Sequence, residues 1–150
     1  MILKGTITRA ENLIYADQGN HCMITESELE EALIKAWQKE SSSDPENWTA
    51  ENPAWGQCAV TALIVNDYLG GDIVWSKASL PDGREISHYF NNIEGVEEDF
   101  TRNQFPAGTN IPKGTSKTKE YSTTREYILS YPITLQRYES LKQKVEEQLR

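Results

Sequence analysis

The sequence predicts an α+β fold in a single domain. Three observations carry this. A capped helical period over residues 26–39 is followed by a long apolar run over 59–69, the middle of the chain switches to strand-like patterning broken by tight-turn residues, and the last twenty residues return to a helical period. Helix, helix, antiparallel strands, helix is not the strand-helix alternation that builds a parallel sheet.

Residues 1–24 have no strong period; residues 2–8 fit a short edge strand and Asp17-Gln18-Gly19-Asn20 fits a turn. Thr25-Glu26-Ser27-Glu28 has the capping-box form, in which the first and last side chains each satisfy the other's backbone N–H. Leu29, Ala32, Leu33, Ala36 and Trp37 follow at helical spacing, so a helix is predicted over 26–39, ended by the Ser-Ser-Ser-Asp-Pro run at 41–45. A loop with Trp48, Asn52, Pro53 and Trp55 leads to Gly56-Gln57-Cys58. Residues 59–69 are too long for a typical strand, apolar on more than one face and stopped by Gly70-Gly71, which predicts a buried central helix with Cys58 in its first turn. Ile73-Val74-Trp75, residues 86–91 and residues 96–100 predict three antiparallel strands, with turns at Pro81-Asp82-Gly83 and near Glu94-Gly95. Residues 106–124, rich in Gly, Thr, Ser and Lys, predict a long exposed loop, either a mobile cover beside Cys58 or a plain connector. After Pro132, the spacing of Leu135, Tyr138, Leu141, Val145 and Leu149 predicts an amphipathic C-terminal helix packed on the core. No repeat or boundary divides residues 1–150.

At 150 residues and 37% hydrophobic content the chain can bury one core without disulfides or metals to staple it. Its formal net charge of −8 repels phosphate backbones and anionic lipid surfaces, which argues against nucleic acid and membranes as partners. No apolar run approaches the roughly 18–20 residues of a membrane helix, and the first ten residues lack the layout of a secretory signal, so a cytoplasmic protein with Cys22 and Cys58 as free thiols is expected. No metal site or cofactor is expected. His21-Cys22 has no second ligand pair at metal-site spacing, and Glu97, Glu98 and Asp99 lack the alternating ligands and central Gly of a calcium loop.

Cys58 is the residue placed for chemistry. The N-terminal turn of a helix offers unpaired backbone N–H groups and the positive end of the macrodipole, both of which favour a thiolate. A cysteine before an apolar helix is also an ordinary packing residue. His88 lies on a predicted strand, and Asp99 on the next; if residues 92–95 make the turn, His88 falls opposite Asp99 and the two share a face. A nucleophile, a base and a carboxylate that orients the base is the general logic of nucleophilic catalysis, although a core His bonded to a carbonyl fits the strand equally. The backbone N–H of Cys58 would give one oxyanion donor, with the side chains of Gln57 or Asn52 as candidate second donors and Trp48 and Trp55 as candidate groove walls. The same residues fit loop hydrogen bonding and aromatic packing.

Asn52-Pro53-Ala54-Trp55-Gly56-Gln57-Cys58-Ala59-Val60-Thr61-Ala62, Asp67-Tyr68-Leu69-Gly70-Gly71, Ser87-His88-Tyr89-Phe90-Asn91 and Asp99-Phe100-Thr101 through Gln104-Phe105 resemble the conserved blocks of the bacterial YunG-like family. That likeness spans roughly residues 52–108, continues more weakly to the C-terminus, and by itself implies no chemistry. More remotely, a Cys opening a helix, a His starting one strand and an Asp ending the next is similar to the core of transglutaminase-like and papain-like cysteine enzymes. Asp99-Phe100-Thr101 lacks the proline of the Asp-Pro-Thr step in the former, and Asn52 stands where the latter carry a Gln. The resemblance implies a papain-like core and acyl chemistry on an amide or ester.

The leading expectation is therefore a cysteine-dependent hydrolase or acyl transferase acting on a peptide or small-molecule substrate, with Cys58 as nucleophile, His88 as base and Asp99 as its orienter. Two others stand beside it: a non-catalytic peptide or small-molecule binding module on the same fold, and a thiol redox sensor pairing Cys58 with Cys22.

Overall fold

The computed structural model describes residues 7–8, 13–16 and 22–150, with side chains from residue 24 onward. It is a mixed α+β structure. Strands β1 (Ile7–Thr8), β2 (Leu13–Ala16) and β3 (Cys22–Thr25) form one antiparallel sheet. The edge strand expected over 2–8 appears as Ile7–Thr8, while the expected turn at 17–20 lies outside the described residues.

Helix α1 (Glu26–Ala36) starts at a capping box: Glu28 N–H donates to Thr25 Oγ1 at 2.9 Å, and Thr25 N–H donates to Glu28 Oε1 at 2.8 Å. It ends three residues earlier than the periodicity predicts. Trp37 takes an extended conformation so that its ring can bury and its Nε1–H can donate to Thr61 Oγ1 at 2.8 Å, and the chain then continues as a 3-10 turn at Lys39–Ser41. Helix α2 (Cys58–Leu69) has an unbroken buried run from Val60 to Val65, because apolar side chains leave no face fit for water. Around it pack Leu29, Ala32, Leu33 and Ala36 of α1 and residues of the C-terminal helix and the central sheet.

That sheet is the three-stranded antiparallel meander β4 (Asp72–Ser79), β5 (Glu85–Ile93) and β6 (Val96–Glu98). Ile73 and Ile93 face α2, and Asn91 donates to the Ala62 carbonyl of α2 at 3.0 Å, pinning strand to helix. Ala78 and Leu80 form a second small apolar cluster with Phe105, against which Trp55, Ile86 and Ile111 lie. Residues 106–124 have no strand or helix of their own before residue 124, but they are not loose over the sheet. Asn110 and Thr115 exchange backbone hydrogen bonds of 2.7–2.9 Å with Ser79 and Trp75, covering the outer edge of β4. Gly114 sits so close to Val74 and Phe90 that a Cβ there would come within 2.9 Å of the Phe90 ring, and Lys117 lies 4.1 Å over the Trp75 ring.

Sequence reasoning missed the short helix α3 (Thr124–Leu129), capped by Thr123. Arg125 on α3 bonds Leu63 O, Asn66 Oδ1 and Asp67 Oδ1, joining it to α2. Helix α4 (Pro132–Leu149) follows, with Tyr138, Leu141 and Val145 buried. Leu135, expected in that stripe, is instead 38% exposed, because α4 reaches the core only from Tyr138 onward. Among the described residues no helix is long and apolar enough to cross a membrane.

Leu63→Ala should therefore cost about 2–5 kcal/mol of unfolding free energy in urea denaturation, the range for truncating a fully buried leucine. Leu135→Ala should stay within about 0.5 kcal/mol. Equal costs at both positions would contradict this assignment of the core face.

Candidate functional site

Cys58 is the first residue of α2 and is half-buried. Its position is set by the loop before it. Gly56 has φ +76°, and an added Cβ would collide with Ser42 Oγ and stand 3.0 Å from Ser43 N, so only glycine lets segment 42–44 close against the Cys58 loop. Ser43 N–H donates to Gly56 O at 2.9 Å, and Ser42 Oγ donates to Trp55 O at 2.8 Å. Together with the start of β5 these segments bound a cleft of about 380 Å³, whose walls include Asp44, Trp55, Cys58, Ser87 and Gln104. None of its lining residues comes from 106–124, so that segment does not cover this cleft.

His88 is 0% exposed and stacks between Phe90 (5.4 Å) and the edge of Phe105 (5.0 Å). Its Nε2 meets Asp99 Oδ2 at 2.7 Å. The pairing arises differently from the expected register. The turn is the two residues Glu94-Gly95, so Ile93 pairs with Val96 and Asn91 with Glu98, and β6 stops before Asp99. Because the register differs by two residues from that expected, the face is kept, and Asp99 reaches His88 from the chain just beyond the strand. Asp99 is itself held: its Oδ1 accepts from Thr101 N–H at 3.2 Å. Thr101 Oγ1 and its carbonyl accept from Gln104 Nε2 at 3.0 and 3.2 Å. Gln104 Oε1 in turn accepts from Gly56 N–H at 3.2 Å. A chain of hydrogen bonds thus runs from His88 to the loop that carries Cys58. Gln104 is a residue that sequence reasoning left without a role, since nothing in a lone Gln after a turn marks it as a link.

Nε2 is taken by Asp99, and Nδ1 has no hydrogen-bond partner among the described residues. Cys58 lies close enough to the ring to favour its protonated form. Burial works to lower the His88 pKa. The bond to Asp99 and the neighbouring Cys58 outweigh that effect and raise it from 6.5 to about 9.

The other named residues divide. Trp55 lines the cleft, its Nε1–H donating to Asp44 Oδ2 at 3.0 Å. Gln57 turns inward, fully buried, and donates to Gln38 O at 2.9 Å, leaving its Oε1 without a partner. Asn52 donates to Gln104 O at 3.0 Å. Neither amide is directed at the cleft in this structure, so the free donors near the sulfur are the backbone N–H groups of the first turn of α2. Trp48, whose Nε1–H bonds Pro53 O at 2.9 Å, is no wall of the cleft. The side chain of Cys22 lies outside the described residues, as does His21. Among the described residues no group of three His, Cys, Asp or Glu side chains is placed to hold a metal ion.

A His pKa raised on folding contributes stability that is fully present below the unfolded value near 6.5 and is lost as pH rises through about 9. Unfolding free energy should thus fall by on the order of 2–3 kcal/mol between pH 6 and pH 9.5, and His88→Gln should remove most of that fall. A wild-type profile parallel to that of the variant would show that His88 is not the group responsible.

Residues 25–150 match the family described as YunG protein. Among similar proteins is the Uncharacterized protein YunG of Bacillus subtilis (strain 168), 43% identical over 75 residues, which are 50% of this chain and 58% of the relative. The chain thus spans somewhat over half the length of the curated relative it matches. No solved structure matches. The family match takes in the Cys58 loop, the His88 strand, Asp99 and α4, and the chain belongs to the YunG protein family.

Proposed function

We propose that the protein is a cysteine-dependent hydrolase or acyl transferase acting on an amide or ester, on a reduced papain-like or transglutaminase-like core. The observation that carries this reading is the buried His88, tied through Nε2 to Asp99 at 2.7 Å while Nδ1 has no hydrogen-bond partner among the described residues and Cys58, the half-exposed thiol of the cleft, lies close enough to act on the ring. A merely structural histidine would be expected to satisfy both ring nitrogens.

In this mechanism the Cys58 thiolate adds to the substrate carbonyl carbon, and His88 gives its proton to the departing amine or alcohol, leaving a thioester. Water or a second nucleophile then attacks the thioester while His88 takes its proton, and the thiolate is released. Asp99 keeps the ring in the tautomer that presents Nδ1 to the sulfur. The oxyanion is met by backbone N–H groups opening α2, where the helix dipole adds to their effect.

One observation favours a non-catalytic binding module: both candidate side-chain oxyanion donors, Gln57 and Asn52, are bonded elsewhere. A single experiment separates the readings. With p-nitrophenyl acetate, an enzyme should release a burst of p-nitrophenolate and carry one acetyl group on Cys58 by mass spectrometry. His88→Ala should slow acylation by roughly a hundredfold or more, and Asp99→Asn by at least about tenfold. Absence of a Cys58 adduct, or acylation indifferent to His88, would leave the binding module.

A further inference from the structure

The cleft beside Cys58 has three charged residues in its walls, Asp44, Arg84 and Glu85. Two of them are matched by charges outside it. Arg84 Nε donates to Asp82 Oδ2 at 2.8 Å, and Glu85 lies 3.7 Å from the Lys77 ammonium, all four side chains being more than half exposed. Asp44 differs. Among the described residues no lysine or arginine lies within ion-pair distance of its carboxylate. Its donors are neutral: Asn47 Nδ2 reaches Oδ1 at 3.1 Å and Oδ2 at 2.9 Å, and Trp55 Nε1–H reaches Oδ2 at 3.0 Å. These bonds, that of Asn47 first, hold the Asp44 carboxyl below the usual carboxylate range, so the group stays ionised at neutral pH. They also fix it in place, together with the bond from Asp44 N–H to Ser42 Oγ at 3.0 Å. A carboxylate has about four lone-pair sites, so a further donor can still be taken.

The surroundings say which donor. Trp55 stands in the same wall, and an indole ring attracts a cation over its face. Ile86 adds an apolar wall for the methylene groups that carry such a charge. The carboxylate belongs to the segment closed against the thiol's loop: a Cβ on Gly56, two residues before Cys58, would stand 3.1 Å from Asp44 N. We propose that Asp44 and Trp55 receive a cationic group of the substrate, so that the Cys58 site takes amides or esters carrying an ammonium or guanidinium group on a short arm from the reacting carbonyl. The arm is short because a cleft of about 380 Å³ must hold both the carbonyl at the sulfur and the cation at Asp44. The proposal rests on Cys58 being a nucleophile and adds to it the class of compound attacked.

The test uses methanethiosulfonates that share one reactive end and differ in charge. The Cys58 thiolate attacks the sulfenyl sulfur, an S–S bond forms, and the S–SO2 bond breaks as methanesulfinate leaves; mass spectrometry of the Cys58 peptide from the full chain gives the rate. Relative to a small free thiol under the same conditions, wild-type Cys58 should favour the aminoethyl reagent, an ammonium at neutral pH, over the neutral hydroxyethyl reagent by roughly three- to tenfold. The anionic sulfonatoethyl reagent should be the slowest of the three, and added salt should shrink the spread. Asp44→Asn, whose amide oxygen can still accept from Trp55, should abolish the aminoethyl preference, provided circular dichroism shows it folded. Glu31→Gln on α1 changes the net charge equally but lies outside the cleft wall, and it should leave the preference in place. Equal rates with the aminoethyl and hydroxyethyl reagents in the wild type, a preference unchanged in Asp44→Asn, or an equal loss in Glu31→Gln would overturn the proposal; the last would assign the preference to the general field of a chain of net charge −8. If Cys58 reacts with the hydroxyethyl reagent no faster than a free thiol, the nucleophile reading and this inference fall together. Fast labelling without a cation preference removes this inference alone.

Discussion

The structure depends on one constraint: α2 is buried on every face from Val60 to Val65 and must be enclosed there on every side. Leu63, Ile64 and Val65 are 0% exposed, and α1, α4 and the central sheet converge on them. A helix buried along its length meets solvent only at its ends. At its C-terminal end the chain leaves through Gly70 and Gly71, both at positive φ, where a Cβ on Gly71 would strike Asn92. At its start stands Cys58. The half-exposed thiol, backed by the donors of the first helical turn, is thus a consequence of how the core is covered.

The second constraint is the cost of burying His88. An imidazole with no exposure, between Phe90 and Phe105, is tolerated only with a strong partner, and Asp99 at 2.7 Å supplies it. Asp99 can do so because Thr101 and Gln104 hold it, and Gln104 also holds Gly56. The bonds that satisfy the histidine therefore also position the loop before the thiol. Stability and geometry at this site are one network, and pH reaches both through the same proton.

The two arginines on α3 and α4 show how context divides identical side chains. Arg125 ties α2 to α3 through Asn66 and Asp67 and contributes to the frame. Arg137 is anchored by one firm bond to Ser41 O and has no carboxylate partner among the described residues. Helical periodicity marks the apolar stripe of α4, and a lone Arg beside that stripe looks the same in sequence whether its fork is paired or open.

By itself the sequence determined the α+β class, the capped α1, the buried α2 with Cys58 at its start, the β4–β5 hairpin and the C-terminal helix. These rest on periodicity and turn chemistry between near neighbours in the chain. Tertiary structure decided the rest, because it concerns contacts between distant residues. Trp37 leaves its helix early to reach Thr61, and Gln57 and Asn52 spend their amides on Gln38 and Gln104. Segment 106–124 lines the open edge of β4 away from the cleft. Asp99 meets His88 from beyond the end of β6: alternation along a strand could say which face they share, but only the two-residue turn and the packing of Phe105 and Gln104 decided where along that face they meet.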